Sequence, residues 1–223
     1  PHLPLGTDTW IADALAARFC ARVPEAVRLP ALALGCASEH LSFPGTLSLD
    51  EETFRGVLAD LVRSLDHHGF AHVFVFSAHG GNLGALRRGA SALVAAAGRA
   101  RVTVFADHAP LTAALFAEAA RHGVDAADAG HHAGELETSI LAALRPGAPR
   151  ARALAQGRRW TADDTGPLFY PDLRREAAGG TVGDPRAADP ARAEAYLEVW
   201  SAALVEAYRG AKKRHATKGT VRP

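Results

Sequence analysis

HVFVFSAHGGN, residues 72–82, is the stretch that decides the fold. Its first six residues form a short, nearly continuous apolar run, the mark of a strand covered by helices on both faces. A parallel sheet follows from that reading. The two glycines interrupt the run where a helix opens, because Leu83, Leu86, Ala90, Leu93 and Val94 recur at helical spacing as far as Gly98. VTVFA at 102–106 is a second buried strand. The chain thus alternates strand, helix, strand, as doubly wound α/β folds do.

Working outward, Phe54, Val57, Leu58, Leu61 and Leu65 make an amphipathic helix, with Ser48 and Glu51 as a capping box and Gly69 as its C-terminal cap. Residues 27–34 read as a further strand closed by Gly35, and Trp10, Ile11, Leu15 and Phe19 as a helix capped by Thr9. Downstream, Pro110 opens a helix through Leu111, Leu115 and Phe116 to Gly123, and another helix spans 134–144. Residues 146–190 show little periodicity but carry Trp160, Phe169, Tyr170 and the turn-rich GGTVGDP at 179–185. So long an irregular segment reads as a lid, a binding loop or an oligomer arm. Asp189 and Pro190 start a last amphipathic helix through Tyr196, Trp200, Leu204 and Tyr208, and 211–223 form a basic tail, expected to be a solvated, frayed end. The whole, 1–223, is expected to be one domain.

Composition narrows the function. With 223 residues and 48% hydrophobic content the chain can bury a sizeable core without disulfides. Cys20 and Cys36 read as small buried thiols. The net charge of +1 supplies no electrostatic footprint for nucleic acid or an anionic membrane. No apolar run approaches a membrane span and no charged-then-apolar leader opens the chain, so a cytoplasmic protein is expected. The chain has no methionine, and Pro1 is accordingly not expected to be where translation began.

In an open α/β sheet, ligands bind beyond the carboxyl ends of the strands. The three expected strand ends run into Glu39-His40, His79-Gly80-Gly81-Asn82 and Asp107-His108. With His2, His131 and His132, six of the 11 histidines fall in loops expected to share one rim. Glu137 lies three, four and seven residues before Ile140, Leu141 and Leu144, so its carboxylate emerges on the apolar face of its helix, whereas Glu135 points elsewhere. A carboxylate so placed needs a metal, a proton or an arginine. Asp8 reads equally well as a helix-start residue. Gly80 and Gly81 would let backbone amides approach a phosphate, but neither GxGxxG nor a P-loop lysine accompanies them.

PHLPLGTDT at 1–9, SEHLSFPGTLSL at 38–49, AHGGN at 78–82, HHAGELETS at 131–139 and VGDP at 182–185 together resemble the creatininase family of metal-dependent amidohydrolases, whose branches include mycofactocin peptidases and formamide deformylases. The resemblance implies a three-layer α/β sandwich with a mostly parallel sheet. It also implies two divalent metal ions at the strand ends, hydrolysis of a non-peptide or terminal C–N amide bond, and a homo-oligomer, often a hexamer. By position, Asp8 corresponds to the carboxylate that bridges both metals, His79 to a ligand of one, and His132 to the histidine that moves a proton to the leaving nitrogen, with His131 as second choice. Gly81 stands where other members carry a glutamate ligand, and Glu137 is the expected replacement. The family's opening motif, Glu-x-His-Gly-Pro-His, supplies a Glu and a His ligand that would lie ahead of Pro1. Asp128 and His108 stand near the places of the aromatic residues that cover creatinine in creatininase itself, which argues against creatinine as substrate.

Carboxylate and imidazole ligands suit Zn, Mn or Fe. Two such ions about 3.5–4 Å apart lower the pKa of a bridging water toward ~7, which makes a hydroxide for attack on the carbonyl. The expectation is therefore an enzyme, a hydrolase of a small cyclic amide, a formamide or a short peptide terminus. Glu39, His40, Asn82, His108 and Asp128 are expected to contact the substrate. The alternatives are a non-catalytic homologue that keeps the fold but not the full ligand set, and a phosphate-binding module using Gly80 and Gly81.

Overall fold

The computed structural model describes residues 1–160 and 171–218. Helix α1 (Thr7–Arg22) buries Ile11, Leu15 and Phe19. It starts two residues before Thr9, because the carbonyl of Pro4 accepts from both the backbone N–H and the hydroxyl of Thr7. Asp8 consequently stands in the first helical turn. Helix α2 (Glu51–His67) is capped by Asp50, whose side chain accepts from the N–H of Glu52, and not by Ser48. The Ser48 hydroxyl accepts instead from the N–H of Ala37, tying together the two ends of the intervening loop. Gly69, with φ +82°, ends this helix where a glycine was expected.

Strand β1 (His72–Phe76), helix α3 (Asn82–Ala96) and strand β2 (Arg101–Phe105) make one parallel crossover unit, in register from His72 beside Arg101 to Phe76 beside Phe105. Period-two alternation sorts its residues between two cores. Val73, Val75, Val102 and Val104 pack with α2 and α3. Phe74, Phe76 and Phe105 pack with α1, α4 (Ala109–Arg121), α6 (Glu135–Leu144) and α8 (Ala193–Lys218). The result is helices, sheet, helices: the expected three-layer α/β arrangement, around a small parallel sheet. Two short helices, α5 (Ala126–Ala129) and α7 (Leu173–Glu176), complete the helical set of the described residues.

Two further expectations need correction, the strand at 27–34 and the frayed basic tail. Residues 27–34 form no strand: they run irregularly, and Val27, Leu29, Leu32 and Leu34 are 43–70% exposed. They line a cavity of about 1640 Å³ whose other walls include β1 and α2. Their pattern is strand-like, but a strand needs a hydrogen-bonding neighbour, and among the described residues none pairs with them. The 146–190 segment is irregular as expected, yet its described part is not loose. Leu173, Ala177 and Val182 are buried with Phe43 and Trp160 against them, and Thr181 to Pro185 are all buried. Phe169 and Tyr170 lie outside the described residues. The basic tail is helical to Lys218, and Lys212 pairs with Glu25 at 2.8 Å. Among the described residues, no helix is long and apolar enough to cross a membrane.

Candidate metal centre

Three loops and two helix starts converge beyond the end of β1. The turn after β1 is held by Ser77, whose hydroxyl accepts from the N–H of His79 at 3.0 Å. Asn82 latches this turn to the preceding loop, with Oδ1 accepting from the N–H of Cys36 at 2.8 Å and Nδ2 donating to the Ser77 hydroxyl at 3.0 Å. The latch brings the short turn Ser38–His40, and with it Glu39 and His40, over His79. Asp8 arrives from α1, and Glu137 from the first turn of α6.

His132 is placed by a strained segment. Its carbonyl accepts from the N–H of Val182 at 2.8 Å, and the N–H groups of His131 and His132 both donate to the Val182 carbonyl. Gly130 has φ +76°, and a Cβ there would collide with that same carbonyl, so only glycine allows the approach. Ala133, a non-glycine residue, is held at φ +51°, a conformation that costs of order 1 kcal/mol and clusters at functional sites. Glu137 accepts from the N–H of Ala133.

Within the site, His79 sits between two carboxylates: Nδ1 is 3.2 Å from Asp8 Oδ2, and Nε2 is 3.5 Å from Glu39 Oε1. Burial works against its positive charge, but Asp8 and Glu39 overcome that and hold its pKa at about 10. The His40 ring stacks on His132, centroids 4.6 Å apart and 20° from parallel. Burial drives His132 down to about 3, so that imidazole is neutral at rest. For Glu137, burial and then the charge of Asp8 push the pKa up to about 7. The charges acting on it are those of Asp8 and His79, neither a lysine nor an arginine.

Other expected site residues are placed elsewhere. His131 packs edge-on against Phe116 and Trp160 and stands apart from His132 despite adjacency in sequence. His108 packs against Phe105 and Trp200, its pKa lowered to about 4 by burial and then by Arg87. Asp128 is paired with Arg159 at 2.6 Å. Asn82 spends its side chain on the loop latch. His2, 1% exposed, bonds Thr138 through Nε2 at 3.0 Å. Glu39 is the residue whose depth spacing does not announce: a rim loop places it, yet it is 2% exposed. Nor is Gly81 open to a phosphate, since a Cβ there would lie 2.5 Å from Cys36 O and His79 Nε2 and closer still to Glu39 Oε1. A carboxylate occupies the space the phosphate reading requires.

A divalent cation fits this donor set. Asp8 and His79 present an oxygen and a nitrogen side by side, neither a lysine nor an arginine acts on Glu137, and Glu39, His40 and His79 bring ligand atoms within 4.8 Å of one another. The family model described as creatininase, creatinine amidohydrolase, matches residues 1–208, and the chain belongs to the creatininase family of amidohydrolases. It is 36% identical over 207 residues to the mycofactocin precursor peptide peptidase of Mycobacterium tuberculosis, covering 86% of this chain and 72% of that protein. Among solved structures it is similar to a mutant creatininase complexed with creatine, with a TM-score of 0.74 and 22% identity over 94% of this chain and 85% of that one. A mutant creatininase of Zn-Zn type matches with a TM-score of 0.72 and 22% identity, covering 94% and 84%. At that identity the structural likeness speaks for the fold, which it shares with this chain.

Proposed function

We propose that this protein is a metal-dependent hydrolase that cleaves a C–N amide bond near the terminus of a short peptide, with two divalent ions of Zn, Mn or Fe as cofactors. The observation that carries the reading is the grouping of Asp8, His79 and Glu137, in which buried Glu137 lies beside the like charge of Asp8 and is opposed by the His79 imidazole, with no lysine or arginine acting on it. Such a carboxyl takes either a proton or a metal. When bound, the ions supply Lewis acidity toward the scissile carbonyl and lower the pKa of water toward ~7. The rest falls to the chain. Asp8, His79 and Glu137 would hold the ions, Asp8 serving both. His132, neutral at rest, takes up a proton at a ring nitrogen and gives it to the departing nitrogen, and His40 stacked on its face keeps the ring in orientation.

The preference for a peptide over a small lactam or formamide rests on two supports. The cavity bordering these residues, about 1640 Å³, exceeds the roughly 300–1,000 Å³ of ordinary small-molecule sites. The mycofactocin relative is named as a peptidase of a precursor peptide. The test is elemental analysis of the full-length protein purified without chelator, with parallel assays on short peptides, a formamide and a lactam. Asp8→Ala is expected to remove more metal than any other single change in 1–223. Unchanged metal content in that variant overturns the assignment, and a protein with neither metal nor hydrolysis is the non-catalytic homologue.

A further inference from the structure

We propose that Glu39 is the positioning residue of the metal centre, fixing the ring of His79 and, through His40, the ring of His132, and that position 81 is glycine to admit its carboxylate. This rests on the reading of Asp8 and His79 as metal ligands. The two nitrogens of His79 face opposite ways. Nδ1 meets Asp8 Oδ2 at 3.2 Å, so an ion held by Asp8 is taken by that edge of the ring. Nε2 must then carry the hydrogen, and it points at the carbonyl of Cys36, 3.0 Å away, and at Glu39 Oε1, 3.5 Å away. A carbonyl or carboxylate behind the second nitrogen of a ligand histidine fixes its tautomer and raises its basicity. Here both are present.

The same carboxylate oxygen reaches further. Glu39 Oε1 is 3.4 Å from His40 Nε2, and His40 stacks on His132. One oxygen therefore sets the ring that binds the ion and the ring that supports the proton carrier. Glu39 Oε2 has no hydrogen-bond partner among the described residues, and the buried charge is answered by the two imidazoles and by Glu39's own backbone N–H. Gly81 closes the argument, since any side chain there would meet Glu39 Oε1, Cys36 O and His79 Nε2 together. The Asn82 latch on the N–H of Cys36 keeps the Cys36 carbonyl in place on the same segment.

The experiment compares the full-length wild type with Glu39→Gln, Glu39→Asp and Gly81→Ala. Co²⁺ affinity is read by chelator competition, the ligand field by the visible absorption of bound Co²⁺, and stability by urea unfolding. Glu39→Gln is expected to weaken Co²⁺ binding by about 10–100-fold per folded molecule and shift the absorption bands, the usual effect of losing such a partner, while the urea midpoint reports any loss of folding separately. Glu39→Asp, which keeps the charge at a longer reach, should fall between. Gly81→Ala, which retains every donor, should reproduce the loss and provides the test should Glu39→Gln fail to fold. If the wild type binds Co²⁺ and these variants match it in affinity and spectrum, the role of Glu39 is wrong and the ligand reading stands. A wild type that binds no divalent ion overturns both.

Discussion

Glu135 and Glu137 are two residues apart on α6 and end in regions of opposite character. Glu135 is fully buried on the side facing α8, where Oε1 accepts from Ser139 Oγ and Arg192 Nη1, both at 2.8 Å, and Oε2 accepts from the Tyr196 hydroxyl at 2.9 Å. Every lone pair direction that matters is answered. Glu137 has one backbone N–H, the like charge of Asp8 and, against it, the His79 imidazole. An arginine was one of the partners spacing allowed for Glu137, and the structure gives it to Glu135. Identical side chains on one helical turn thus divide into a structural anchor and a reactive group, and what divides them is the supply of donors from elements distant in sequence. His131 and His132 repeat the lesson: one is packed among aromatic rings, the other stacked in the acid and imidazole cluster.

The largest effect should come from breaking the satisfied side. Glu135→Ala leaves the Tyr196 hydroxyl without its acceptor and Arg192 with the Ala187 carbonyl in place of its carboxylate partner, and a loss of about 3–5 kcal/mol in urea unfolding is expected. Metal content per folded molecule should not change; a parallel loss of metal would mean the two glutamates belong to one site. Next comes the histidine pair. His132→Ala should lower amide hydrolysis by ~10²–10⁴, the usual worth of general acid catalysis, while His131→Ala should alter stability more than rate. Equal rate losses would erase the distinction between them.

A third test uses pH. His108 is held near 4 in the folded state against about 6.5 in an unfolded chain. Its contribution is therefore present above pH 6.5 and lost as pH falls toward 4, because the unfolded chain takes up the proton first. His108→Phe should remove up to about 3 kcal/mol of acid sensitivity across that window, and an unchanged stability profile between pH 7 and 4 would show that the imidazole is not held neutral. The smallest effect concerns Glu137 itself. Its raised pKa means that charging it costs folding energy as pH rises from about 4.5 through 7. In metal-free protein at pH 8, Glu137→Gln should therefore be more stable than wild type by about 1–2 kcal/mol. A destabilised variant would place Glu137 with Glu135, as an anchor.

Much of this was legible without coordinates. Periodicity located β1, β2 and most helices to within a few residues, and helical spacing put Glu137 on an inward face. What spacing could not supply is whether a second face of the same helix is covered. On α6 it is, by α8 and the turn at Pro190–Arg192, so Glu135 is buried although it points away from the first apolar stripe. Residues 27–34 carry the other limit. Alternation shows that a segment suits a sheet, but whether it pairs depends on a neighbour that local pattern does not encode.

The sequence by itself determined the alternation of strand and helix and the family, because hydrophobic period and ordered motifs are local properties of the chain. It also delivered His79, Glu39 and His40 to loops, and Asp8 to a helix start, on the side that a parallel sheet opens. Only the tertiary structure decided that His79 lies between Asp8 and Glu39, that Gly81 makes room for a carboxylate, and that His131 and His108 turn to aromatic partners. The reason is physical: the charge state and partners of a buried polar group are set by which donors and acceptors surround it within a few ångströms, and those come from segments more than a hundred residues apart.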